Sequence, residues 1–111
     1  MPVFTFGGST YNNPVELALD VIGGKWKMPI LWRLKDRVWR YGELHKDLGT
    51  VNHKMLTQQL RELERDGLIT RTVYPVVPPH VEYALTPLGA SAIPCIEVLR
   101  AWGASFRAAR E

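Results

Sequence analysis

The chain is poor in the residues that most catalytic and metal chemistry draws on. Its 111 residues hold one cysteine, Cys95, so no internal disulfide framework can form and a thiolate zinc site is out of reach. A lone thiol is compatible with a reducing cytosol. The three histidines, His45, His53 and His80, lack a metal-ligand spacing such as HExxH, and no Ser/His/Asp set stands out. Gly23-Gly24 is too short to cradle a phosphate. No apolar run reaches the ~18 residues of a membrane span. The opening MPVFTFGGSTYNN has neither a basic leader nor a long apolar segment, so no export signal is expected. There are no repeats and no low-complexity tracts. The expectation is a cytoplasmic chain with no catalytic residues, no metal and no cofactor.

What is present is a globular composition, 46% hydrophobic and 23% charged, of a size that supports one domain with an added helix. The net charge of +3 is only mildly basic, and its distribution says more. Between Gly24 and Lys46, the cations Lys25, Lys27, Arg33, Lys35, Arg37, Arg40 and Lys46 face only Asp36 and Glu43, a local surplus of +5. Such a surplus suits an anionic partner, nucleic acid being the commonest, or is a solvated basic face.

Residues 1–12, with Gly7-Gly8-Ser9-Thr10 in the middle, read as a flexible N-terminal arm. Order is expected to begin at Asn13-Pro14-Val15-Glu16: Asn13 is a good helix cap, Pro14 suits the first helical position, and Glu16 can bond back to the cap. The first helix runs to about Ile22. A second spans about 25–35, burying Trp26, Ile30, Leu31 and Leu34, with Pro29 bending it or delaying its start. Val38-Trp39-Arg40 is a short extended piece. Helices at 41–48 and 53–66 are separated by Gly49-Thr50-Val51-Asn52, with Asn52 as cap. Two strands follow, about 68–76 and 80–86, joined through the stiff VVPPH turn. Thr86-Pro87 starts a last helix to about Arg107, striped by Leu88, Ala92, Ile96, Leu99, Trp102 and Phe106. This order is that of a winged helix-turn-helix: mainly α with a small antiparallel β-hairpin (α+β), and extra helices at both ends. The DNA-binding core is placed at about 24–86 within a domain of 13–107, flanked by dimerisation helices at about 13–22 and 87–107.

Within KMLTQQLRELERDGLITR (54–71), Leu56, Leu60 and Leu63 mark the buried side of a helix. Lys54, Thr57, Gln58, Arg61 and Arg65 share the opposite face. In a helix-turn-helix the second helix enters the major groove and the hairpin flanks the duplex. Gln pairs with adenine, Arg with guanine, and the Thr methyl meets the thymine methyl, so Thr57, Gln58 and Arg61 are base-reading candidates. His53 and Lys54, at the helix N-terminus, are candidates for phosphate contact. Arg65 is another, unless Glu62 or Glu64 holds it in a surface pair. Arg40, Arg71 and His80 are further backbone candidates. Tyr41 and Tyr74 read as core packing, and the four tryptophans as core or interface, because no cations interleave them as in a single-strand binder.

DVIGGKWKMPILWRL (20–34), RYGELHKDL (40–48), KMLTQQLRELERDGLITRTVYPVVPPHVEYALTPLG (54–89) and the terminal helix with Trp102-Gly103 resemble the HxlR-type winged-helix transcriptional regulators, relatives of the multiple-antibiotic-resistance regulators. The likeness covers about residues 13–104. It implies a cytoplasmic prokaryotic regulator that binds double-stranded DNA as a homodimer, with the recognition helix at 53–66 and the wing at 74–81. Many family members carry a cysteine immediately before the Pro-Val of the first helix, and some sense oxidants or electrophiles with it. Asn13 stands there in this chain, and an amide cannot form a thiolate. Cys95, on the last helix, reads as a small buried apolar residue.

The last helix carries more apolar surface than one such domain needs. Ile93, Ile96, Leu99, Trp102 and Phe106, with Leu17 and Val21 of the first helix, are therefore candidates for a subunit interface, the alternative being that the stripe closes the chain's own core. A small-molecule effector between the terminal helices and the winged core is compatible with this layout, though no residue selects a compound. An alternative class is a winged-helix protein-interaction module without DNA binding. Such modules tend to present apolar or acidic residues on the face where this chain carries Lys54, Gln58 and Arg61.

Overall fold

The structure, a computed structural model, describes residues 3–111; Met1 and Pro2 of the expected arm lie outside the described residues. The remainder of that arm is not unstructured. Strands β1 (Phe4–Phe6) and β2 (Ser9–Tyr11) pair antiparallel around Gly7-Gly8, whose φ values of 58° and 82° are those of a tight hairpin turn. Aromatic and Thr residues on either side of the turn favour strand, and the Phe4 and Tyr11 rings stack at 5.5 Å. The Tyr11 hydroxyl donates to Asp20 Oδ2 at 2.8 Å, fastening the hairpin to α1 (Pro14–Ile22), and that bond raises the phenol's pKa.

Helix α1 starts as its cap residues require, with the Glu16 amide donating to Asn13 Oδ1 at 3.2 Å. Helix α2 (Lys27–Leu34) starts two residues later than its apolar spacing alone suggests, with Pro29 in its first turn. Strand β3 (Trp39–Arg40) leads into α3 (Tyr41–Leu48), and the Glu43 carboxylate accepts the Arg40 amide at 2.8 Å. That bond holds the Glu43 carboxyl below the ordinary glutamate value. Four residues separate α3 from α4 (His53–Arg65), where Asn52 Oδ1 accepts the Met55 amide at 2.7 Å. Buried Val51 pins the turn beneath the helix pair.

Strands β4 (Ile69–Tyr74) and β5 (His80–Leu85) form the wing, in register from Ile69 opposite Leu85 to Tyr74 opposite His80. Strand β3 adds to the other edge of β5, giving a three-stranded sheet in the order β3-β5-β4. The core lies where this sheet meets the helices: Ile30, Leu31 and Leu34 of α2, Leu44 of α3, Leu56, Leu60 and Leu63 of α4, and Ile69 and Tyr83 of the sheet.

The expected last helix is two helices, α5 (Pro87–Ser91) and α6 (Ile93–Arg110). Pro94 explains the break. It has no amide to continue a helical ladder but is accommodated in a first turn, so α6 restarts around it. The Ser91 hydroxyl donates to the Leu88 carbonyl at 2.5 Å and helps satisfy the end of α5. Thr86 caps α5 by accepting the Gly89 amide at 3.0 Å, while its hydroxyl donates to the Gly67 carbonyl at 2.7 Å. Helix α5 thereby seats on the start of β4, so closely that a Cβ on Gly89 would overlap the Leu68 carbonyl oxygen. A Gly89→Ala variant is expected to lose about 1–3 kcal/mol of stability by overpacking, read as a lower denaturation midpoint at unchanged slope.

Two expectations about α6 are corrected. Ile93 and Ile96, expected at a subunit interface, are buried in the chain's own core, where α6 packs on α2. Cys95, one position from Ile96, is exposed rather than buried. From Val98 onward every residue of α6 is exposed, including Val98 at 69%, Trp102 at 65% and Phe106 at 54%.

Candidate nucleic-acid interface

Helix α4 buries Leu56, Leu60 and Leu63 and turns a polar face outward. Lys54, Gln58, Arg61 and Arg65 are exposed on that face and line a shallow groove of about 720 Å³ along the helix. Lys54 and Arg61 enter no ion pair among the described residues. Thr57 is half-buried, on the flank of the helix toward the wing, with its Oγ1 3.5 Å from the Tyr41 hydroxyl. A second depression of about 410 Å³ separates this flank from the wing, with Thr57, Arg61, Arg71 and Tyr83 on its walls. Tyr83 is pushed up in pKa by burial, and Arg71 opposes that shift from the mouth of the depression.

The N-terminus of α4 is braced by aromatic stacking. His53 and His45 lie parallel with centroids 3.9 Å apart, and the Tyr41 hydroxyl sits 2.9 Å from His53 Nδ1. Tyr41 packs against the core with its ring, as read from the sequence, and its half-exposed hydroxyl end also ties α3 to α4. Tyr74, also read as core packing, is instead exposed and stacked on His80 at 4.7 Å.

The structure also sorts the cations. Within 24–46, Lys27 pairs with Glu62 at 2.7 Å, Arg33 with Asp47 at 2.6 Å, Lys35 with Asp36 at 2.6 Å and Arg37 with Glu43 at 3.3 Å. Two of the five surplus charges read from the sequence are thus answered by carboxylates outside the segment, Glu62 and Asp47, while Lys25, Arg40 and Lys46 enter no ion pair among the described residues. Cations also cover the indoles: Lys25 lies over Trp26, Lys35 and Arg100 over Trp32, and Arg37 over Trp39. Of the other phosphate candidates, Arg65 pairs with Asp66 at 3.2 Å rather than with Glu62 or Glu64, and that carboxylate raises its pKa. His80 Nε2 lies 3.2 Å from Glu82 Oε2. Arg40 is exposed and shares a depression with His80 beside the wing.

Lys27 is the residue that sequence reasoning misplaced. Counted among surface cations, it is 5% exposed. The signal was available, because Lys27, Ile30, Leu31 and Leu34 lie at i, i+3, i+4 and i+7, and the last three are core. Its partner Glu62 uses Oε1 for the ammonium and Oε2 to accept the Gln58 Nε2 donor at 3.2 Å. The lysine, and to a smaller extent the Gln58 amide, hold the Glu62 carboxyl below the ordinary glutamate value against the opposing effect of burial.

A helix-turn-helix with a polar, cation-bearing second helix and an adjacent wing is the geometry of a duplex-reading head. The family model described as "HxlR-like helix-turn-helix" matches residues 21–111. The chain belongs to the HxlR family. It is 46% identical over 105 residues to an uncharacterized HTH-type transcriptional regulator of Methanothermobacter thermautotrophicus, a match covering 95% of this chain and 80% of the relative. It is 52% identical over 95 residues to YtcD, an uncharacterized HTH-type transcriptional regulator of Bacillus subtilis, covering 86% and 75%. Among solved structures, the redox regulator HypR in its reduced form superposes with a TM-score of 0.81 at 45% identity, covering 86% of this chain and 94% of HypR. This HxlR protein is accordingly a winged-helix, DNA-binding transcriptional regulator. No helix among its described residues is long and apolar enough to cross a membrane. Asn13 performs a structural task in this chain as the α1 cap.

Proposed function

We propose that the chain regulates transcription in the cytoplasm as a homodimer, laying α4 of each subunit in the major groove of a two-fold DNA site, with the wing over the flanking backbone. The observation that carries this reading is the outer face of α4. Gln58 and Arg61 stand exposed at its centre, and Lys54 stands beside capped amides at its N-terminal end. Thr57 contributes its methyl from the wing-side flank. His53, Arg40 and Arg71 lie around this face and serve the phosphates, whereas Arg65 and His80 must exchange an existing carboxylate contact to do so. The reading places the duplex-reading core at about 24–86.

The second subunit is assigned to the apolar face that the fold leaves uncovered, namely Leu99, Trp102 and Phe106 of α6 together with Val15 and Leu19 of α1. Leu17 and Val21, candidates from the sequence, are half-buried, and Val21 packs against the chain's own core. A small effector would enter the groove of about 460 Å³ between α2 and α6, floored by Met28, Trp32, Ile96 and Leu99.

Selection of bound sequences from a random duplex pool tests the reading. Enrichment of an inverted repeat with half-sites about one helical turn apart is the expected result, and recovery of unrelated sequences overturns it. Lys54→Ala is expected to weaken binding to every duplex alike and to reduce the slope of log affinity against log salt by about 1 per subunit. Titrations at several salt concentrations on selected and scrambled DNA read this directly.

A further inference from the structure

The Lys27–Glu62 pair lies at the seam between α2 and the recognition helix, and its second contact is to Gln58. We propose that Lys27 and Glu62 are positioning residues that hold the Gln58 carboxamide in one orientation and so restrict it to reading adenine. The inference rests on the proposed role of α4 as base reader and adds to it the device that sets what one side chain reads.

A free glutamine can present its amide either way round, because its oxygen and nitrogen exchange places by rotation about the terminal bond. An ionised carboxylate accepts hydrogen bonds and donates none, so Glu62 Oε2 admits only the NH2 side of Gln58. The other Glu62 oxygen is engaged by Lys27 Nζ at 2.7 Å, which keeps the carboxylate ionised and fixed in place. The ammonium also offsets a negative charge that would otherwise stand next to phosphate on a DNA-facing helix. With one N–H committed to Glu62, Gln58 retains one N–H and its Oε1. That set of one donor and one acceptor matches the N6 amino group and N7 of adenine. Guanine offers two acceptors, O6 and N7, and would need both N–H groups, one of which Glu62 already holds.

The contact is well placed for this role. Glu62 and Gln58 are one helical turn apart on α4, so their geometry is set within a single rigid element. Lys27 reaches Glu62 from α2 and is 5% exposed, so its side chain cannot swing out to another partner.

The experiment compares duplexes that differ only at the base pair whose preference Gln58→Ala abolishes, with A·T replaced by G·C. The wild-type chain is expected to favour the A·T duplex by about tenfold or more. Removing one partner would leave a buried charge alone, so the decisive variant is the double substitution Lys27→Met with Glu62→Leu, supported by Glu62→Gln, which keeps an acceptor for Lys27. Thermal melts report that each is folded. In both variants the A·T preference at this position should fall to within about threefold, preferences at other positions should persist, and the change should vanish in a Gln58→Ala background. Retention of the preference in the folded double variant overturns the inference while leaving base reading by Gln58 intact. An equal loss at all positions also overturns it, since that is the effect of a merely structural pair. If Gln58→Ala alters no base preference, the inference falls together with the assignment of Gln58, and failure of the wild-type chain to prefer any duplex removes the underlying reading itself.

Discussion

An Arg61→Ala variant binds the preferred site about 5- to 150-fold more weakly than the parent chain, the equivalent of about 1–3 kcal/mol, yet loses far less on scrambled DNA. The asymmetry follows from the position of the residue. Arg61 stands two turns into α4, exposed and free of any carboxylate partner among the described residues. Its guanidinium is therefore available for two parallel hydrogen bonds to a guanine edge without first breaking an ion pair. Its removal disturbs no core contact, so the melting transition should stay in place. Competition titrations with single-base variants of the site should show relaxed preference at one position per half-site. Equal loss on selected and scrambled DNA would instead make Arg61 a phosphate contact.

Removing the Trp102 and Phe106 rings together has the other large consequence. The two stack at 5.4 Å on an exposed stretch of α6, and neither belongs to the chain's own core. A Trp102→Ala, Phe106→Ala chain should therefore fold normally. If this face meets its own copy across a two-fold axis, each loss is counted twice. With at least about 2 kcal/mol for a buried tryptophan anchor, dimer dissociation rises by about a thousandfold. Sedimentation at micromolar concentration should show monomers where the parent shows dimers. Affinity for a full two-fold site should fall by at least about 100-fold, because the second half-site no longer benefits from a tethered partner. A variant that still sediments as a dimer would move the interface elsewhere on the chain.

Local signals were read well from the sequence. Asn13 and Asn52 cap the helices they were expected to cap, and the spacing of Leu56, Leu60 and Leu63 located the buried side of α4. The wing followed from alternation in 81–85 bounded by prolines. The errors arose where a residue's role depends on a distant partner or on an overlooked break. Gly7-Gly8 suggested slack, but between β-forming triplets it is a hairpin turn, anchored through Tyr11 to Asp20 nine residues further on. Pro94 divides the expected last helix in two, and at the start of α6 Ile93 and Ile96 close the chain's own core while Cys95 beside them is exposed. Charge counting failed for a related reason. Lys27 finds Glu62 35 positions away and Arg33 finds Asp47 14 away, so a window along the chain counts cations whose counterions it does not contain.

The join between α4 and the wing leaves little slack. The Leu68 amide donates to the Leu63 carbonyl at 3.0 Å and the Gly67 amide to the Glu64 carbonyl at 3.0 Å, so β4 begins almost as soon as α4 ends. Thr86 then ties the far end of the hairpin back to Gly67. Helix and wing consequently behave as one stiff tool rather than two hinged fingers. In the dimer proposed above, a signal that silences a regulator built this way gains little by bending the tool; its leverage lies in the pitch and separation of the two tools, which the α6 contact would set.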